Sequence, residues 1–294
     1  MGKTIIIGAG GQIGTELTLT LRNQYSTDQI IAADIKEVAP TLIQDGPYVQ
    51  MDILNRDSVR SYIIDNQIET VYLLAALLSA TAEKNPDFAW KLNMEGLFTI
   101  LDLAKEGHVK KIFWPSSIAV FGPTTPADNT PQHTVMEPST VYGISKQAGE
   151  RWCEYYYNKF GVDVRSIRYP GLISYKSPPG GGTTDYAVDI FYKAKQEAKF
   201  TCFLSKDTAL PMMFMDDAIT RQLRVYGLGQ HTTSAEYHLP PKKSLLPSKT
   251  IFLHLKLLMN QIFVKPSLIR GQIQLMITTR KRIGTGNWDL IWNA

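Results

Sequence analysis

Tyr142 and Lys146 stand four residues apart in Thr140-Val141-Tyr142-Gly143-Ile144-Ser145-Lys146. On a helix that spacing puts both side chains on one face, about 6 Å apart along the axis. A phenol with an ordinary pKa of about 10 is a poor base at neutral pH, and a neighbouring ammonium favours its phenolate. Such a pair can take the proton of a substrate hydroxyl. A bare Y-x-x-x-K also occurs as an exposed helix pair, so its surroundings decide. Here they are Ser116 and Ser117, in Phe113-Trp114-Pro115-Ser116-Ser117-Ile118-Ala119-Val120-Phe121-Gly122. Strand ends on one edge of a parallel sheet line the ligand crevice, so a Ser117 at such an end can converge with Tyr142.

A second group sits at the start of the chain. The apolar run Thr4–Ile7 leads into Gly8-Ala9-Gly10-Gly11-Gln12-Ile13-Gly14, and a helical pattern follows. Glycine lets the backbone turn tightly and approach a pyrophosphate, whose charge then faces the amides at the helix N-terminus. A glycine motif alone is weak, and its place between strand and helix strengthens it. Asp34 closes the second β-rich run, 20 residues after Gly14. A carboxylate there accepts from both adenosine ribose hydroxyls and repels a 2′-phosphate, which favours NAD over NADP; the alternative is a turn-initiating Asp. With a cationic nicotinamide nearby, Tyr142 would take the hydroxyl proton while hydride leaves the same carbon. Leu74-Ala75-Ala76 ends a further apolar run, where small residues allow close approach to the cofactor.

These residues need a scaffold. Strand candidates are Thr4–Ile7, Gln29–Ala33, Tyr48–Met51, Thr70–Leu74, Lys111–Pro115 and Val164–Arg168, with helical stretches near 12–23, 56–66, 86–106 and 140–159. The alternation predicts an α/β fold, a Rossmann-like doubly wound parallel sheet with a small C-terminal substrate-binding portion. Residues 1–170 form the expected NAD-binding domain and 171–219 the substrate-binding portion. From Pro170 to Asp185 the chain turns Pro/Gly-rich, through Pro178-Pro179-Gly180-Gly181-Gly182-Thr183-Thr184-Asp185. Such a segment suits a mobile cover over substrate, or a plain surface connection.

Composition narrows the class. With 44% hydrophobic residues in 294, the chain can bury a sizeable core and is not disordered. Its longest apolar stretch, around Thr70–Ala82, is shorter than the roughly 18 residues a membrane span needs. A strand beginning by Lys3 leaves no room for a signal peptide, and Cys153 and Cys202 are expected as reduced thiols in a cytoplasmic protein. No metal is expected.

The glycine spacing 8, 11, 14 with Ser117 and Tyr142–Lys146 resembles the extended short-chain dehydrogenase/reductases. Leu77-Leu78-Ser79-Ala80-Thr81-Ala82-Glu83, Trp114–Pro123, Met136–Glu150 and Arg168–Tyr192 resemble the L-threonine 3-dehydrogenase branch rather than the sugar-nucleotide epimerases. The resemblance implies NAD-dependent oxidation of the L-threonine β-hydroxyl to 2-amino-3-ketobutyrate. By that likeness Ser117 is the catalytic Ser/Thr and Asn93 the structural and proton-relay asparagine, or else a plain helix-interior polar residue. Lys146 holds the nicotinamide ribose, Asp52 and Ile53 lie near the adenine, and Tyr169 and Pro170 belong to the cofactor site. Ser79, Thr183, Thr184 and Asp185 contact the small amino acid, whose ammonium and hydroxyl suit hydroxyls and a carboxylate. A homodimer through 86–106 and 140–159 is also implied. Two rivals stay open: an NAD-dependent sugar-nucleotide epimerase or dehydratase, and an NAD-binding protein without catalysis.

The likeness stops near Thr220. Residues 221–294 hold 11 Lys/Arg against 2 Asp/Glu, a basic tail on a mildly acidic body. Suitable codons for Gln261–Ile277 and Arg282–Asn293, read in the frame offset by two nucleotides, give strings similar to the family's C-terminal region. The expectation is a reading-frame slip near residues 218–221, so that 220–294 is an aberrant tail whose charge is accidental. Nucleic-acid binding through it is not expected, since basic residues without aromatic interleaving say little. The resemblance implies a C-terminal region that completes the substrate side, so NAD binding is expected to survive while threonine turnover is put in question.

Overall fold

The computed structural model describes residues 2–176, 180–198, 200–202, 204, 210–227 and 251–252. Pro178 and Pro179 of the expected cover, and the tail from residue 228 on apart from 251–252, lie outside the described residues.

In chain order the elements are β1 (Thr4–Ile7), α1 (Gln12–Gln24), β2 (Ile30–Asp34), α2 (Pro40–Gln44), β3 (Tyr48–Gln50), α3 (Arg56–Asp65), β4 (Thr70–Leu73), α4 (Ser79–Ala82) and α5 (Pro86–Lys105). There follow β5 (Lys111–Phe113), β6 (Ser116–Ser117), α6 (Val141–Phe160), β7 (Val164–Arg165), β8 (Arg168–Tyr169), β9 (Gly171–Ile173), α7 (Tyr186–Glu197), β10 (Pro211–Phe214), α8 (Met215–Gly227) and β11 (Ile251–Phe252). The main sheet has six strands in the order β3-β2-β1-β4-β5-β7, and every pairing in it is parallel. The order reverses at β1/β4, where a doubly wound sheet opens its ligand crevice. This is the α/β, Rossmann-like fold expected from the strand candidates.

Why several strands are apolar almost throughout is visible in the core. Ile5 and Ile7 of β1 face one cluster with Ile31, Ala33 and Val71, packed on α3, α5 and α6 through Val59, Ile63, Leu97 and Cys153. Ile6, between them, faces the other, with Ile30, Ala32, Tyr72 and Phe113 against Leu17 and Leu21 of α1 and Ala218 and Ile219 of α8. Successive side chains alternate between faces, and here both faces are covered.

The helix ends follow local chemistry. Asn85 caps Phe88 N at the start of α5, with Pro86 in the first helical position. Thr140 caps Gly143 N at the start of α6, and Gly161, at φ +71°, ends it in the left-handed conformation. Contacts within the chain define one unit of Met1–Asp185 with Leu210–Leu253 and another of Tyr186–Ala209 with His254–Ala294. Residues 171–185 thus sit in the same unit as 1–170. Within the second unit, α7 carries a Lys193–Glu197 pair at 2.6 Å. Among the described residues no helix is long and apolar enough to cross a membrane.

Candidate active site

The glycine turn is forced by its own geometry. Gly8 holds φ +95°, and a Cβ there would lie 2.6 Å from the backbone nitrogen of Ala75. A Cβ on Gly14 would lie 2.2 Å from the Gly8 carbonyl, whereas at Gly11 the nearest atom is 3.4 Å away. So Gly8 and Gly14 let β1, β4 and α1 close up, and Gly11 leaves the turn's outer surface approachable. Gly11 is the N-cap of α1 and supplies no side-chain cap, so the amides of Gln12, Ile13 and Gly14 keep their anion-binding character. The Gln12 Nε2 is buried with no hydrogen-bond partner among the described residues, as suits a donor kept for a phosphate oxygen.

Asp34 ends β2 beside this turn. Its Oδ2 accepts from Gly10 N at 2.9 Å and its Oδ1 from Lys36 N at 3.1 Å. Sequence reasoning missed the Gly10 amide as the group that orients this carboxylate. Asp52 accepts from Leu54 N at 2.9 Å, and Ile53 is buried under Gly96 of α5. Leu74, Ala75 and Ala76 follow β4, with Leu74 N and Ala75 N both bonded to Ile7 O, which fixes them against the glycine turn.

At the other end of the crevice, α6 presents Tyr142 and Lys146 toward β6. The Ser117 hydroxyl stands beside the Tyr142 phenol and accepts from Ala119 N at 3.1 Å. Burial pushes the phenol up to about 12, and the neighbouring Ser117 hydroxyl acts against that rise. Lys146 is 2% exposed, and burial lowers its ammonium to about 7, opposed by the nearby Glu150 carboxylate. Its Nζ donates to Pro115 O at 2.7 Å and lies 4.3 Å from the centre of the Trp114 ring and 5.6 Å from that of Tyr142. The close seam depends on Gly143, where a Cβ would fall 2.2 Å from Ala119 O. That glycine lets the helix carrying Tyr142 touch the turn carrying Ser117.

Two buried braces hold this seam. Asn93 of α5 accepts from Leu77 N at 2.9 Å and donates to Ser145 Oγ at 3.1 Å, and Ser145 Oγ donates to Tyr142 O at 2.8 Å. Asn93 therefore braces the segment after β4 and the first turn of α6. Deeper along the same helix face, Glu150 pairs bidentately with Arg168 at 2.7 Å on both arms and accepts from Ser116 Oγ at 2.6 Å. Adjacent serines on β6 thus meet α6 at two levels, Ser117 beside Tyr142 and Ser116 bonded to Glu150. Neither Glu150 nor Arg168 was singled out from sequence, because residues 18 apart give no local signal.

The substrate-side residues also meet, with a difference. Ser79 Oγ lies 2.7 Å from Thr183 Oγ1 and accepts from Thr183 N at 3.1 Å. Thr184 packs over Gly171, where a Cβ would come within 2.7 Å of its Cβ. Asp185 directs one carboxylate oxygen to its own loop, accepting from Gly181 N at 2.8 Å and Gly182 N at 2.7 Å. Tyr169 points away from the crevice: its phenol is 4% exposed and hydrogen-bonds Gln222 of α8 at 3.2 Å. Its ring is a core residue, which leaves only its main chain and Pro170 for a cofactor role.

The sequence profile described as the NAD dependent epimerase/dehydratase family matches residues 4–233. The chain belongs to that family. An uncharacterized epimerase/dehydratase of Staphylococcus saprophyticus is 50% identical over 220 residues, 74% of this chain and 68% of the relative. Among solved structures, a partial consensus L-threonine 3-dehydrogenase is 56% identical, covers 75% of this chain and 71% of its own, and superposes with a TM-score of 0.73. A GalE-like L-threonine dehydrogenase from Cupriavidus necator, in its holo form, is 52% identical over 76% of this chain and 72% of its own, also with a TM-score of 0.73. An epimerase/dehydratase of this family is NAD-dependent, in keeping with the glycine turn and the Asp34 carboxylate described above. The family match ends at residue 233, so most of the basic tail falls beyond it.

Proposed function

We propose that this chain oxidises the β-hydroxyl of L-threonine with NAD, giving 2-amino-3-ketobutyrate and NADH. The observation that carries the reading is the convergence of the Ser117 hydroxyl and the Lys146 amine on the Tyr142 phenol, with Lys146 on the same helix face. The likeness to L-threonine dehydrogenases at 56% and 52% identity supports the choice of substrate.

Gly8, Gly11, Gln12, Ile13 and Gly14 would cradle the pyrophosphate, with Asp34 accepting from the adenosine ribose and favouring NAD over NADP. Leu74–Ala76 and Asn93 would line the nicotinamide side. Bound NAD supplies the two-electron acceptor and a cationic ring. Ser117 would donate to the reacting oxygen and so place the substrate hydroxyl against Tyr142 Oη. Tyr142 takes the hydroxyl proton once cationic neighbours have lowered its phenol from about 12. Lys146 would hold the nicotinamide ribose and keep positive charge beside the Tyr142 ring. Ser79 and Thr184 would orient the amino acid, with Asp185 shaping the loop that presents Thr183 and Thr184.

Residues 1–170 act as the cofactor domain and 171–219 as the substrate portion in this reading. Two copies pair through the outer faces of α5 and α6. The test is NADH production from L-threonine by the full chain, run beside a chain carrying the family-like C-terminal reading in place of the tail. NADH from both supports the reading. NADH only from the second assigns the loss to the tail standing where the family-like C-terminal region completes the substrate side. Turnover of nucleotide sugars with none of threonine would favour the epimerase alternative, and NAD binding with no turnover in either chain would mark a non-catalytic NAD-binding protein.

A further inference from the structure

We infer that Glu83 is a positioning residue, tying the substrate loop to the first turn of the helix that carries Tyr142 by way of the short helix α4. The kinetic part of this inference rests on the proposed dehydrogenase reading; the structural part does not.

Helix α4 is a single turn, Ser79–Ala82, too short to hold its own place. Its beginning is fastened to the loop. Thr183 makes both its Oγ1 contact and its N–H bond to Ser79 Oγ. Gly181 lies so close that a Cβ there would fall 2.4 Å from Thr81 Oγ1, and a Cβ on Gly180 would fall 3.2 Å from Leu78 Cδ1. The end of α4 is fastened elsewhere: Glu83, its C-cap, accepts from Val141 N at 2.8 Å.

That second bond is not an ordinary cap. Thr140 already performs the local capping of α6, accepting from Gly143 N at 3.0 Å. Val141 N lies outside the reach of that cap, and a carboxylate 58 residues earlier in the chain serves it. A negative charge at the positive end of a helix makes a strong, directional bond. Val141 is covalently joined to Tyr142, so any displacement of α4 is passed directly to the base. One segment of five residues thus ends on the substrate loop at one side and on the catalytic helix at the other. Its geometry keeps Ser79 and Tyr142 in a fixed relation across the substrate. Glu83 is exposed, so replacing it leaves the core intact.

The experiment compares the full-length wild type with Glu83→Ala and Glu83→Gln by two readouts. The first is hydrogen–deuterium exchange of the ligand-free chain. Glu83→Ala is expected to speed exchange severalfold both at 141–144 and at 180–184, and to leave 8–14 unchanged. The glutamine variant, whose amide oxygen still accepts, stays within about twofold of wild type at all three. Faster exchange confined to 141–144 would reduce Glu83 to a local cap and overturn the inference. The second readout is steady-state kinetics. Glu83→Ala is expected to lower kcat/KM for L-threonine about tenfold, as for one charge-assisted hydrogen bond, with KM for NAD unchanged and most of the loss restored in Glu83→Gln. Wild-type kcat/KM in Glu83→Ala would also overturn it. If the wild type makes no NADH from threonine, the proposed substrate fails, and exchange at 180–184 still decides the tie.

Discussion

Ser117 and Tyr142, 25 residues apart in the chain, stand side by side across the seam where β6 meets α6. They meet because Gly143 lets the helix backbone close on the Ala119 carbonyl, and because Ser116 and Glu150 grip the same two elements one level deeper. A strand-end hydroxyl and a helix-borne phenol therefore converge on a point where a substrate oxygen can sit between them.

Asp34 makes the cofactor assignment testable. Its carboxylate is held at the end of β2 by Gly10 N and Lys36 N. Asp34→Ala is expected to raise KM for NAD about tenfold or more, since it deletes charge-assisted hydrogen bonds to the ribose. It should also narrow the preference for NAD over NADP. Measured KM values for the two cofactors that keep their wild-type ratio would count against the ribose contact.

The buried lysine gives a pH signature. Burial lowers Lys146 from 10.5 to about 7, so between those values the unfolded chain holds more protons than the folded one. The ligand-free wild type should therefore gain stability relative to Lys146→Met as pH rises from about 7 towards 10, by at most about 1.4 kcal/mol per pH unit. Urea unfolding of both proteins across that range reads the difference. A difference that stays flat, or a wild type that loses stability relative to Lys146→Met as pH rises, contradicts the burial argument.

Glu150 and Arg168 are 0% and 2% exposed at their side chains. Arg168→Leu removes the bidentate partner of a buried carboxylate, and a loss of about 3–5 kcal/mol is expected. Replacing both partners with apolar residues should recover much of it, because the stranded charge is gone. Denaturant melts of the single and double variants decide. A double variant no more stable than Arg168→Leu would show that the pair acts through something other than its charge.

The proposed dimer face is rich in aromatic rings. Trp152, Tyr155 and Phe160 of α6 are exposed, and Phe98 of α5 stacks edge-on to Trp152 at 5.1 Å. An apolar aromatic patch of this kind marks an interaction surface. Sedimentation should find a dimer at micromolar concentration, reduced to monomer by Trp152→Glu with Tyr155→Lys. A wild type that sediments as a monomer would remove the pairing.

Much of this was legible in the sequence for identifiable reasons. The central parallel strands are short, mostly apolar runs such as Thr4–Ile7, apolar because helices cover both faces. The helices 12–24, 56–65, 86–105 and 141–160 have full periods and local caps such as Asn85 and Thr140. Helix α4 escaped because one turn has no period to detect, although its residues Ser79 and Glu83 lay inside a segment already picked out by resemblance. Long-range polar contacts gave no trace: Glu83 with Val141, Glu150 with Arg168, and Asn93 with Ser145 are set by tertiary packing. Tyr169 and Asp185, implied by resemblance, also have partners the sequence could not show: the Tyr169 phenol hydrogen-bonds Gln222, and Asp185 Oδ2 accepts from the amides of Gly181 and Gly182.

The most direct measurement is the rate of NADH formation from L-threonine by the full chain and by Tyr142→Phe, at saturating NAD, with NAD affinity measured alongside by calorimetry. The account predicts that removing the phenol hydroxyl lowers kcat by about 100-fold or more while NAD still binds within about threefold of wild type. A Tyr142→Phe chain that makes NADH at the wild-type rate would contradict it.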